Sequence, residues 1–191
     1  MGKVIFSIMM TIDGFMEGPD QNLDWAIIDE ELHSFVNKEV QAFDAFLLGR
    51  RTYQIMQEFW PTADADPSAP PYVVEFAQIW KTIPKIVFSR TISSVSGNAR
   101  LLRDVIPGEI TKLKEKSNHA LGLGGANLAS TFMQHGLIDE YQLYIHPVVL
   151  GKGTPVFPVS REKVDLSLVE TRIFGSGVVF LRYQSVPGDR V

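Results

Sequence analysis

Cysteine is absent from the 191 residues. That excludes disulfides, thiolate nucleophiles and cysteine-based zinc sites. Long apolar runs are also missing. The run Val4 to Met10 is about one strand long, and neither a signal peptide nor a membrane span fits it. A cytoplasmic location is therefore expected. Positive charge is in slight deficit, with 18 Lys and Arg against 22 Asp and Glu, so the chain has no general attraction for nucleic acid. The four histidines, His33, His119, His135 and His146, show no ligand spacing, and no metal site is expected. No Ser-His-Asp arrangement, kinase phosphate loop or internal repeat stands out.

What is present has the balance of a globular protein, 45% hydrophobic and 21% charged. The length suits one domain, here residues 1–186 with a tail at 187–191. Val4 to Met10 predicts a buried strand, and Asp29 predicts the cap of a helix carrying Leu32, Phe35, Val36, Val40 and Phe43 at helical spacing. Ala45 to Leu48 follows as a strand and Arg51 to Phe59 as a helix. Residues 61–71 hold four prolines, which marks a surface loop. Beyond it the spacing predicts a helix over Val73 to Lys81, strands at Lys85 to Phe88 and Ala99 to Leu102, and a helix from Pro107. Ala120 to Leu123 is a strand, followed by a helix from Gly125. Tyr141 to Leu150, Val164 to Phe174 and Val178 to Ser185 then read as strands, the last two forming a hairpin around Gly175-Ser176-Gly177. Alternation of strands and helices with a strand-rich end predicts a three-layer α/β fold. Its central sheet is mostly parallel, with helices on both faces and an antiparallel C-terminal hairpin.

Three short segments follow apolar runs: Gly49-Arg50-Arg51-Thr52, Ser89-Arg90 and Gly124-Gly125-Ala126-Asn127. Two of them open helices, whose free N–H groups and positive dipole ends suit phosphate. Arginine's planar fork suits a phosphate dianion, and glycine lets backbone approach it. The spacing lacks the third glycine of the Gly-x-Gly-x-x-Gly dinucleotide fingerprint.

The chain resembles the dihydrofolate-reductase-like superfold, and within it the RibD C-terminal family of riboflavin-pathway deaminase-reductases and their stand-alone bacterial members. The resemblance rests on Ser7 with Asp13-Gly14, Leu48-Gly49-Arg50-x-Thr52-Tyr53, Phe88-Ser89-Arg90, Gly124-Gly125, and Pro147-Val148-Val149-Leu150-Gly151-x-Gly153-x-Pro155-x-Phe157. It covers nearly the whole chain and implies an NADPH-dependent reductase. By the same resemblance Gly49, Arg50, Arg51 and Thr52 hold the 2′-phosphate and pyrophosphate. Ser89 and Arg90 add a second contact, and the turn Gly124, Gly125, Ala126 and Asn127 meets the pyrophosphate. A homodimer through the late strands is also implied. A nucleotide-binding protein of this fold without efficient catalysis is the alternative.

Hydride transfer to C=N or C=O needs a proton donor for the heteroatom. Asp13, at the end of the first strand, is the first candidate, with a pKa expected to be raised beside an apolar pocket. Asp29 is the rival, although an acid there also serves as a helix cap. Trp25, Phe59 and Trp60 are candidates for the substrate pocket. From Val4 to Asn37 there is no lysine or arginine, against seven acids. An anionic substrate is thus disfavoured, and a neutral or cationic heterocycle, pterin-like or pyrimidine-like, is expected.

Overall fold

The computed structural model describes residues 1–157 and 163–186; the expected tail at 187–191 lies outside them. Eight strands form one sheet: β1 (Lys3–Thr11), β3 (Phe43–Gly49), β4 (Lys85–Phe88), β5 (Ala99–Leu102), β6 (Ala120–Gly124), β7 (Glu140–His146), β9 (Leu166–Ile173) and β10 (Val179–Ser185). Their order is β5-β4-β3-β6-β1-β7-β10-β9. The six from β5 to β7 run parallel, and β10 and β9 complete the sheet as an antiparallel hairpin. Two short strands, β2 (Phe15–Glu17) and β8 (Thr154–Pro155), pair separately.

Residue alternation divides the sheet between two layers of helix. Val4 and Phe6, Ala45 and Leu47, Ile86 and Phe88, and Leu121 and Leu123 face one side. There they pack with Ile110 of α4 (Pro107–Lys116) and with Leu128, Ala129 and Phe132 of α5 (Ala126–Gln134). Ile5, Phe46, Leu48 and Val87 face the other side. They meet Val40 of α1 (Glu30–Gln41), Tyr53 of α2 (Arg50–Phe59), and Phe76, Ile79 and Trp80 of α3 (Pro71–Thr82). Asp29 caps α1, accepting from Leu32 N at 2.8 Å.

The structure departs from expectation in several places, among them Phe43, expected on the first helix, which instead opens β3 because α1 ends at Gln41. Helix α3 starts at Pro71 rather than Val73, because proline's fixed φ and missing N–H suit the first turn. The strand expected over Tyr141 to Leu150 leaves the sheet after His146, where Pro147 has no N–H for the ladder. The pair β2/β8 is unforeseen.

One offset shapes the molecule. β6 pairs with β1 only as far as Leu123 beside Phe6, whereas β1 and β7 stay paired to Thr11 beside His146. The β1–β7 pair therefore rises about 13 Å beyond the end of β6, giving the C-terminal edge a wall.

Candidate functional site

Three predicted loops leave adjacent strands on that edge. The register sets Gly49 beside Phe88 and Leu48 beside Gly124. The segments after β3, β4 and β6 therefore stand side by side, where parallel sheets place ligands.

Helices α2 and α5 both start here, with Gly49 and Gly125 as their N-caps, and neither has a side-chain cap. Their first N–H groups remain open to an anion. Gly125 has φ +93°, and a Cβ there would lie 2.6 Å from Thr52 Oγ1. Glycine at this position thus lets the α5 turn sit against the first turn of α2. Ala126 is buried beneath it and Asn127 is exposed.

The cations differ in what they already hold. Arg50 is exposed, and among the described residues its side chain makes one hydrogen bond, to Thr91 Oγ1 at 3.0 Å, linking the β3 and β4 loops. Arg51 is held by Glu17, with its guanidinium 2.7–2.8 Å from both carboxylate oxygens. Arg90 pairs with Asp104, its Nε donating at 2.7 Å. The Ser89 hydroxyl accepts from Thr91 N and Ile92 N, each at 3.2 Å, and so shapes the turn. Tyr53, Gln54, Gln57 and Ser94 to Ser96 line a hollow of about 390 Å³ between α2 and the loop after β4.

Glu17 is a functional-region residue that the sequence did not single out. Burial raises its pKa, but hydrogen bonds from Arg51 and Thr154 and the Arg51 charge bring it below the ordinary value. Thr154 Oγ1 donates to Glu17 at 2.7 Å. Gly153 adopts φ +154°, and a Cβ there would collide with the Glu17 carbonyl. The Gly-Lys-Gly-Thr-Pro turn is thereby pressed onto β2.

Asp13 behaves differently from expectation. Its carboxylate accepts from Thr11 Oγ1 at 2.6 Å, Leu150 N at 3.1 Å and Gly151 N at 2.7 Å. The Thr11 hydroxyl, then the Gly151 and Leu150 N–H groups, hold its pKa below the ordinary carboxylate value rather than above it. The reason is exposure. Asp13 lies at the surface with a ring of donors, and the apolar surroundings that would keep it protonated are missing. Asp29 sits at the helix cap described above.

The three aromatic candidates do not share one set of neighbours. Trp60 packs on Phe76 at 4.3 Å, beside His33 and Phe59, and Phe59 is exposed. Trp25 instead meets His146 edge to face, with ring centroids 5.1 Å apart. His146 is fully buried, and a lone histidine at a strand end carries no signal that would have found it. Among the described residues no three potential metal ligands cluster, and no helix is long and apolar enough to cross a membrane.

Similarity to known proteins fits this geometry. Residues 2–180 match the family described as the RibD C-terminal domain. The chain is 36% identical over 187 residues to YyaP, an uncharacterized protein of Bacillus subtilis, covering 95% of this chain and 94% of that one. The structure of a riboflavin biosynthesis protein from Shewanella sp. PV-4 aligns with TM-score 0.74 and 21% identity, over 96% of this chain and 99% of the other. A diaminohydroxyphosphoribosylaminopyrimidine deaminase/5-amino-6-(5-phosphoribosylamino)uracil reductase from Thermotoga maritima gives TM-score 0.65 and 16% identity, over 97% of this chain and 57% of that one. The two solved structures establish the shared fold, here dihydrofolate-reductase-like. With the family match over nearly its whole length and a relative at 36% identity, the chain belongs to the RibD C-terminal domain family.

Proposed function

We propose that this chain is an NADPH-dependent reductase that transfers hydride to a C=N or C=O of a small nitrogen heterocycle, pterin-like or pyrimidine-like. The observation that carries the reading is the pair of adjacent helix starts, at Gly49 and Gly125, open to an anion at the ends of β3 and β6. The residues fit the cofactor. Arg50 has spare donors beside the Ser89–Thr91 turn, and Gly125 brings the second set of N–H groups against Thr52. NADPH, when bound, supplies the hydride.

The chain's own groups divide the remaining work. Arg50 is the cation that pairs the 2′-phosphate, because Arg51 is held by the buried Glu17, and Arg90, in an exposed pair with Asp104, adds a second contact. Of the acids between Val4 and Asn37, Glu17 is neutralised by Arg51 and Glu31 by Arg172. The segment itself carries no lysine or arginine for an anionic substrate. A neutral or cationic ring follows, and a measured preference for a phosphorylated pyrimidine over its unphosphorylated form overturns that part.

One observation favours the alternative, a nucleotide-binding protein without efficient turnover: the Asp13 carboxylate is held ionised and is a poor acid. The deciding experiment is titration with NADPH and with NADH, followed by nicotinamide fluorescence, in wild type and Arg50→Ala. The expected result is micromolar NADPH binding, much weaker NADH binding, and loss of the difference in the variant. Failure of both nucleotides to bind overturns the reading. NADPH binding without turnover of any oxo- or imino-heterocycle supports the alternative.

A further inference from the structure

His146 ends β7, opposite Thr11 of β1, on the raised wall beside the proposed cofactor edge. None of its surface is exposed. Its Nδ1 accepts a hydrogen bond from Ile27 N at 3.1 Å. A nitrogen that accepts carries no proton, so the neutral ring bears its proton on Nε2. That Nε2–H is buried without a partner. The adjoining ring, Trp25, has its Nε1–H buried without a partner as well. Buried donors are almost always satisfied, and two unsatisfied ones on touching rings call for a ligand that supplies the acceptor.

We propose that Trp25 and His146 form a two-donor point that reads a ring carbonyl oxygen of the substrate and so sets specificity. The inference rests on the reductase reading of this edge. Both groups are donors, and indole can be nothing else. Burial holds His146 neutral, and protonating Nδ1 would break the bond from Ile27. His146 is therefore a fixed hydrogen-bond donor and not the acid of the reaction. The pair matches a lactam or pyrimidinone oxygen and mismatches a ring amino group, which would bring a third donor. Both nitrogens are shut off from solvent, so the oxygen enters as the Trp25 ring swings aside on the segment 22–29, with Ile27 N staying on His146. That segment has no helix or strand, and its Leu23, Ile27 and Ile28 are exposed.

The test uses calorimetric titration of NADPH-saturated protein with 5,6-diaminouracil, which presents ring carbonyls, and with 2,4,5,6-tetraaminopyrimidine, which presents amino groups instead. Wild type is expected to bind the uracil at least tenfold more tightly. Trp25→Phe keeps an aromatic ring and removes the N–H, and is expected to lose about tenfold for the uracil alone. His146→Leu is expected to lose a similar factor, and His146→Gln, whose amide offers both an acceptor and an N–H, to restore most of it. NADPH affinity, read by nicotinamide fluorescence, should stay unchanged in every variant. Equal affinity for the two probes, or an indifferent Trp25→Phe, overturns the proposal and leaves the rings as a packed pair with an N–H against a π face. NADPH binding with no uracil binding also overturns it. Absence of NADPH binding in wild type removes the reductase reading and this proposal with it.

Discussion

Arg51 pairs with Glu17, placing its guanidinium 2.7 Å from a carboxylate that belongs to a 5% exposed residue. The pair joins α2, which carries the proposed phosphate site, to the small β2/β8 sheet. Removing Arg51 leaves a buried carboxylate with Thr154 as its remaining side-chain donor among the described residues. Arg51→Ala should cost about 2–3 kcal/mol, below the full penalty for a buried pair because the arginine is partly exposed. Burial raises the Glu17 pKa, Arg51 and Thr154 lower it, and the net is a fall from the usual 4.5. A depressed folded-state pKa stabilises above that value and is lost as pH falls below it. Urea midpoints from pH 7 to 3 should therefore converge for wild type and Glu17→Gln at the acid end. Parallel curves across the range would show that the pair contributes nothing.

Gly125 makes a prediction in two separable parts. Alanine at this position meets both an unfavourable φ of +93° and the Thr52 hydroxyl at 2.6 Å. Gly125→Ala should destabilise by about 1–3 kcal/mol and weaken NADPH binding, since the α5 turn must move. Adding Thr52→Ala removes the collision but not the backbone strain. The double variant is expected to recover only part of the stability, as measured by thermal unfolding. Complete recovery would mean that the φ constraint is of no consequence.

The ease of reading these elements from sequence followed their physical signal. Long buried strands such as Val4 to Met10 and Lys85 to Phe88 announce themselves as apolar runs bounded by breakers. Asp29 is legible as a cap because a local rule governs helix starts. Strands β2 and β8, of three and two residues, are too short for any period. The Arg51–Glu17 pair links residues 34 apart, and no local pattern distinguishes it from a phosphate-facing arginine. The lowered pKa of Asp13 escapes a local reading in part for the same reason. The Thr11 hydroxyl, two residues away, lowers its pKa most, and the Gly151 and Leu150 N–H groups that add to it come from a turn 138 and 137 residues away.

We propose that the late strands mediate homodimerisation. β9 is the sheet's outer strand and leaves Leu168, Val169 and Ile173 exposed, the last at 76%. Light scattering should give twice the 21.4 kDa chain mass. Ile173→Lys, placed on the exposed edge where it disturbs no core, should shift the protein to monomer. A monomeric wild type at micromolar concentration ends that expectation.

Lys85 yields a pH effect of the same sign as that of Glu17, but in the alkaline range and from the relief of a cost rather than the loss of a gain. It is buried at the start of β4, where its ammonium lies 4.4 Å from the Trp80 ring centre, donates to the Trp80 carbonyl, and reaches Asn98 Oδ1 at 2.9 Å. Burial brings its pKa down from 10.5 to about 8. Between those values the unfolded chain binds the proton and the folded chain does not, so stability rises with pH across about 8 to 10.5. Below pH 8 both states are charged, and the full cost of burying the cation is present. Lys85→Met keeps the apolar stem and removes the charge. Its urea midpoint should be flat over this window while that of wild type climbs, so the gap between them changes steadily from pH 8 to 10. A wild-type curve that stays level relative to the variant would show that hydrogen bonds to Trp80 and Asn98 keep the ammonium charged, and that its burial carries no titratable cost.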